Sequence, residues 1–253
     1  MEKHSLNDRA EDANPSGAEE QIAVVDGFNT FLKNTLLSPE DRATCEAMYR
    51  LTLSDSLTGL SNLLSLEIAL SDIRKEIVLN KENGIEKTPF LIAFDLDKFK
   101  ELNDTSGHSS GDEYLKSIAK HVREILRSSD TFARVGGDEF VIILPDSNIL
   151  NATKIAGRIM DATTKIMEER SHDENEKNGV DVSVSVGVAP WDEEQESKEV
   201  RMQADYALYV AKALGKDAVV SYGDALKLDG INDLKKPINP DSMYNAFIKE
   251  RKK

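Results

Sequence analysis

Carboxylates at a glycine turn are the first residues of this sequence that could do chemistry. Residues 134–140 read Arg-Val-Gly-Gly-Asp-Glu-Phe and run on into Val141-Ile142-Ile143-Leu144. With Thr131-Phe132-Ala133 before it, the stretch predicts a β-hairpin whose glycines, Gly136 and Gly137, tolerate positive φ and a close backbone approach. The acids at its tip, Asp138 and Glu139, offer hard oxygen ligands to a divalent cation, and bare backbone beside them admits a phosphate. An acidic surface hairpin satisfies the same residues, so the turn alone does not decide. Upstream, the apolar run Pro89 to Phe94 ends in Asp95 and Asp97. Alternation puts both acids on one face at the end of a buried strand. If that strand lies beside the hairpin, Asp95 and Asp138 can share metals.

The surrounding motifs resemble a known family. Asp-Ser-Leu-Thr-Gly-Leu-Ser-Asn (55–62), Phe-Asp-Leu-Asp-Lys-Phe-Lys-Glu-Leu-Asn-Asp (94–104), Gly-His-Ser-Ser-Gly-Asp (107–112) and Gly-Gly-Asp-Glu-Phe are similar to the ordered motifs of GGDEF-domain diguanylate cyclases. The resemblance covers about residues 54–222. It implies an α/β fold, a palm-like nucleotidyl-cyclase domain with a mainly antiparallel central sheet flanked by helices. It also implies condensation of two GTP into cyclic di-GMP with release of two pyrophosphates. That reaction needs a deprotonated 3′-hydroxyl, in-line attack on the α-phosphate and neutralised charge on the leaving group, which two carboxylate-held divalent ions supply.

By the same resemblance, Asp95 and Asp138 hold Mg²⁺, two ions per half-site with Mn²⁺ as a substitute, and the Leu96 carbonyl is a further ligand. Glu139 ligates the second ion or assists deprotonation; adjacent strand residues point apart, so Asp138 is the firmer ligand. Asp97 stands behind them. Lys100 faces the phosphates as a point charge. Asn103 and Asp112 read guanine, whose N1 and exocyclic amine a carboxylate accepts together while adenine offers no such pair. A helix cap is the other reading of Asp112, and His108 fixes its loop. Gly136 and Gly137 border the substrate, and Lys212 and Lys216 hold its phosphates. Two positions depart from the family: Leu63 follows Asn62 where Arg is frequent, and Gly215-Lys216-Asp217 replaces Gly-Arg-Asn. Lysine keeps the charge and loses the fork.

One half-site holds one GTP, so the resemblance makes a homodimer part of catalysis. Arg127 and Asp130, with Arg158 downstream, stand where the family binds cyclic di-GMP as an inhibitor. Guanidinium forks suit phosphate oxygens or the Hoogsteen edge of guanine, and Asp130 its Watson-Crick edge. The competing reading is a catalytically silent domain that binds cyclic di-GMP or GTP as a receptor or scaffold.

The elements that must position these residues follow from periodicity. Residues 1–20 are polar and without apolar period, and read as disordered. Residues 21–53 predict two helices: Ile22 to about Leu37, then one opened by Ser38 as N-cap with Pro39 at the first helical position. They form a helical hairpin or dimerisation region, or pack on the catalytic domain; an apolar stripe does not say which surface it covers. Within 54–222 the expected order is a helix from Leu63 to about Leu79, a strand over 90–95, a helix from Asp112 to Arg127, the hairpin, a helix from Ile149 to Met167, a strand from Val180 to Ala189, a helix from Glu199 to Leu214 and a strand from Ala218 to Tyr222. A charged turn is expected over His172 to Gly179. Residues 223–253 read as a polar tail with a helix from Asp241 to Glu250.

Composition narrows the partners. A net charge of −14 over 253 residues argues against a nucleic-acid footprint, which normally shows a basic patch. A hydrophobic content of 40% suffices for an ordinary core. Nothing reads as a membrane span or signal peptide, which makes the cytoplasm the default. The single cysteine, Cys45, excludes an internal disulfide and reads as a small buried hydrophobe.

Overall fold

An unbroken apolar run needs cover on both faces, and Phe90–Asp97 (β1) is buried along its whole length. The computed structural model describes residues 15–171 and 180–231. Thr131–Arg134 (β2), Glu139–Leu144 (β3), Ser183–Pro190 (β4) and Val219–Ser221 (β5) join β1 in a sheet of order β2-β3-β1-β4-β5. The β1–β3, β1–β4 and β2–β3 pairs are antiparallel and β4–β5 is parallel. This is the mainly antiparallel α/β architecture expected.

Side-chain alternation sorts β1 between two cores. Ile92, Phe94 and Leu96 join a core with His108–Ile125 (α5) and Ile149–Ser171 (α6), in which Phe94 stacks on Phe140 at 5.0 Å. Leu91 and Ala93 face Leu63–Glu82 (α3) and Ser197–Ala213 (α7). Asp95 and Asp97 share the parity of Leu91 and Ala93, so the strand delivers its acids to the α7 side. Helix α7 lies directly on the sheet: a Cβ at Gly187 of β4 would meet the Ala204 carbonyl at 2.2 Å and the Leu208 nitrogen at 2.3 Å.

Pro15–Asn34 (α1) and Pro39–Thr52 (α2) form a hairpin in which Phe28 stacks on Tyr49 at 5.6 Å. Ser38 caps α2 as expected, accepting from the Asp41 N–H at 3.1 Å. Helix α1 packs on α3, while α2 buries none of its residues, so Cys45 is half-buried rather than internal.

Several boundaries differ from the sequence expectations. Helix α1 starts at Pro15, within the stretch read as disordered, because a proline at the first helical position leads into the helix formers Ala18 to Gln21. Helix α5 starts at His108, not at Asp112, after a break at Gly107 with φ 84°. Between β1 and α5, where the sequence predicts no element, Phe99–Ser106 is itself a helix, α4. Tyr222–Ile231 (α8) replaces the start of the expected tail; Ser221 Oγ accepts from the Asp224 N–H at 3.1 Å, and Ala225 is fully buried. The expected turn over 172–179 and helix over 241–250 lie outside the described residues.

Candidate active site

Strand pairing alone brings two of the acids together. In the β1–β3 register Asp95 is directly opposite Glu139, a like-charge pair that repels unless a cation lies between. Asp138 closes the bend before β3, and its carbonyl accepts from the Leu96 N–H at 3.3 Å. One carboxylate oxygen from each of Asp95, Asp138 and Glu139 falls within 4.8 Å of the others. Strand alternation does not separate Asp138 from Glu139, because Asp138 sits in the bend rather than in the strand.

The two glycines of the turn work differently from expectation. Neither is among the described positive-φ glycines, which are Gly59, Gly84, Gly107 and Gly215. A Cβ at Gly136 would meet Glu139 Oε2 at 2.8 Å, so the missing side chain leaves room for a cluster carboxylate; Gly137 faces open space.

Burial, with the Asp138 charge beside it, pushes the Asp95 carboxyl up to about 6, while the Lys212 ammonium pulls the other way. Lys212, in the last turn of α7, pairs with Asp95 Oδ1 at 2.6 Å. Three oxygen-donor side chains, one of them buried, suit a hard divalent cation such as Mg²⁺. Asp97 does not join them. It is 2% exposed and accepts from Ser183 Oγ, Ser185 Oγ and the Asp217 N–H at 2.9–3.1 Å.

Beyond β1, Lys98 takes the left-handed conformation (φ 61°) and turns the chain into α4, whose first turn carries the exposed Lys100. Asn103, on α4, lies so close to Gly111 that a Cβ there would meet its Oδ1 at 2.0 Å. Gly111 leaves room for that side chain in this position, setting Asn103 beside the residue preceding Asp112. Asp112 is exposed and five residues into α5, whose N-cap is Gly107, so the helix-cap reading of Asp112 is wrong. His108 is the first residue of that helix and exposed. Lys216 is exposed on the turn after α7.

Sequence reasoning missed Arg134 and its partner. Its Nε and Nη2 donate to the Gly137 carbonyl at 3.1 and 2.7 Å, and its Nη1 pairs with Asp55 Oδ1 at 3.0 Å. One guanidinium therefore ties the glycine turn to the segment following α2. Burial pushes the Asp55 carboxyl up, but hydrogen bonds from Thr58 and Arg134 outweigh it and hold the group below its ordinary value.

The Arg127–Asp130 segment lies at the other end of the domain's strand β2. Asp130 is buried, and its Oδ2 accepts from the Arg127 N–H at 2.9 Å while Arg123 donates to its carbonyl at 3.0 Å. Arg127 and Arg158 are exposed, and Arg158 reaches the Ile125 carbonyl at 3.5 Å, so both arginines stand at the C-terminal end of α5. Part of the Asp130 carboxylate is thus used inside its own turn. Among the described residues no helix is long and apolar enough to cross a membrane.

Comparison with known proteins bears on the fold. Residues 52–218 match the family described as diguanylate cyclase, GGDEF domain. The chain is 38% identical over 208 residues to the probable diguanylate cyclase DgcE of Escherichia coli, covering 79% of this chain and 18% of that protein. It is 36% identical over 171 residues to the response regulator PleD of Caulobacter vibrioides, covering 67% and 36%. The chain thus spans well under half the length of these relatives. Among solved structures, it is similar to diguanylate cyclase SiaD of Pseudomonas aeruginosa, determined with its activator SiaC (29% identity, TM-score 0.59, 81% of this chain and 72% of that one). It is also similar to the GGDEF domain of DgcB from Caulobacter crescentus in complex with c-di-GMP (26% identity, TM-score 0.56, 68% and 96%).

Proposed function

Because the chain belongs to the diguanylate cyclase GGDEF-domain family, we propose that it condenses two GTP into cyclic di-GMP, releasing two pyrophosphates. The observation that carries this reading is the convergence of Asp95, Asp138 and Glu139 within 4.8 Å. These carboxylates, with the Leu96 carbonyl, would hold Mg²⁺ or Mn²⁺. Bound there, divalent ions supply the positive charge that acidifies the 3′-hydroxyl and offsets the leaving pyrophosphate. Lys100, Lys212 and Lys216 meet the phosphates, with the backbone of Gly136 and Gly137 bordering them. Asn103 and Asp112 orient the guanine. Two such half-sites, antiparallel across a homodimer, complete the reaction, and the region 21–53 is our candidate for bringing the pair together. The test is GTP and Mg²⁺ incubated with the full chain and resolved by chromatography. Two pyrophosphates per cyclic dinucleotide are expected; nucleotide binding without pyrophosphate would make the protein a silent receptor instead.

Guanine reading by Asp112 gives a second expected outcome. Asp112→Ser should reduce the preference for GTP over ATP by roughly tenfold or more, since a site built to pair with a substrate N–H rejects the analogue lacking it. Competition assays with both nucleotides measure this, and an unchanged ratio removes Asp112 from the base site.

Product inhibition belongs to the same reading: cyclic di-GMP binds Arg127 and Arg158 at the end of α5, with Asp130 in support. Arg127→Ala should weaken inhibition by added cyclic di-GMP roughly tenfold or more, the worth of a lost charge-assisted pair. Its uninhibited rate should match the parent. Asp130→Ala is the poorer probe because that carboxylate also holds its own turn.

A further inference from the structure

The turn between α7 and β5 holds three consecutive residues at positive φ: Gly215 at 117°, Lys216 at 71° and Asp217 at 48°. Glycine adopts such angles freely, whereas Lys and Asp are strained there by their Cβ. A conformation of this kind persists only where its surroundings fix it. Here the Lys216 N–H donates to the Ala211 carbonyl at 3.2 Å and the Gly215 N–H to the Lys212 carbonyl at 3.3 Å, which ties the turn to α7. Its tie to the central strand is Asp97, whose Oδ2 accepts from the Asp217 N–H at 3.1 Å.

Asp97 is itself held from β4. Ser183 Oγ donates to Oδ2 at 3.1 Å, and Ser185 Oγ lies 3.0 and 2.9 Å from the two oxygens. A buried carboxylate is costly unless donors satisfy it, and here three converge on it. Two residues upstream, Asp95 holds the same end of α7 through Lys212. β1 therefore grips the Lys212–Asp217 segment with two carboxylates, one on the Lys212 side chain and one on the Asp217 N–H.

We infer that Asp97 is a positioning residue for the polyphosphate arm of the substrate: it fixes the strained turn that carries Lys216 and steadies the helix end that carries Lys212. This rests on the reading above that Lys212 and Lys216 hold the phosphates. The guanine-reading residues, Asn103 and Asp112, belong to α4 and α5, outside the turn that Asp97 holds. Loss of Asp97 should thus cost affinity for phosphates and spare affinity for the base.

The experiment is calorimetric titration of the full chain with Mg²⁺ and two ligands, GMP and an α,β-methylene GTP that cannot be condensed. The parent should bind the triphosphate analogue more tightly than GMP. Asp97→Ala should weaken the analogue by about tenfold or more, the scale of a hydrogen bond to a charged group, and leave GMP unchanged. Asp97→Asn, which keeps one carbonyl oxygen for the Asp217 N–H, should recover most of the loss. Should the alanine variant fail to fold, the Ser183→Ala/Ser185→Ala double variant, which frees the carboxylate from β4, should show the same selective loss, several-fold in size. Equal loss of both ligands, or loss of neither, overturns the inference. A parent that binds the analogue no better than GMP overturns the phosphate-holding reading of the lysines, and this inference with it.

Discussion

Asp138→Ala and Asp95→Ala are each expected to lower cyclic di-GMP formation by roughly a hundred- to a thousandfold, with the far-ultraviolet dichroism of both variants matching the parent. The scale follows from transition-state arithmetic: one preorganised charge-stabilising group is worth roughly 3–4 kcal/mol, and each 1.36 kcal/mol is tenfold in rate. Removing one carboxylate leaves two where three converge within 4.8 Å. Each acid lies where folding tolerates its loss. Asp138 is in a bend, outside the β-ladder, and Asp95 ends its β3 pairing opposite another acid, so alanine relieves repulsion there. Steady-state kinetics with GTP and Mg²⁺ decides the matter, and turnover within about tenfold of the parent in either variant would sink the metal assignment.

The second large effect is on stability. In metal-free protein, burial and the Asp138 charge push the native Asp95 carboxyl up to about 6, against an ordinary 3.8. The native state therefore binds more protons than the unfolded chain between these values. Its contribution to stability is complete below 3.8 and is lost as pH rises through 6. A displacement of this size is worth on the order of 3 kcal/mol. Urea midpoints of the parent should fall relative to those of Asp95→Asn as pH rises from 4 towards 7, and saturating Mn²⁺ at pH 7 should restore them. Parallel pH profiles for the two proteins would show that burial and Asp138 do not act on this carboxyl as described.

Much of this was legible because short-range patterns carried it. The run ending at Asp95 is apolar throughout and so had to be central, and Leu115, Ile118 and Val122 recur at helical spacing on what became α5. The sequence expectation starts α5 at Asp112 because Ser109-Ser110-Gly111 reads as a break, whereas Gly111 lies inside the helix and makes room for Asn103, which no local pattern announces. The same limit hid the pairing of Arg134 with Asp55, 79 positions away. Alternation correctly put Asp97 on the face of Asp95, yet nothing in one strand names its neighbour, so Ser183 and Ser185 could not be paired with it. Helix α8 was missed because its cap is a serine and its buried residue an alanine, both unremarkable in a polar stretch.

The bare backbone of Gly187 against Ala204 and Leu208 has a consequence for time as well as space. A helix seated on a strand without an intervening side chain has no layer of rotamers on which to slide, so α7 and the sheet move as one body at that point. Lys212, eight residues beyond Ala204 on the same helix, thus keeps its Cα fixed relative to Asp95. Exchange of the lysine from carboxylate to phosphate then requires only rotation about its own partly exposed side-chain bonds. Such rotations occur in picoseconds to nanoseconds, whereas helix shifts take microseconds or longer. On the proposed reading that Lys212 holds a phosphate, such an exchange would be too fast to pace admission of the triphosphate.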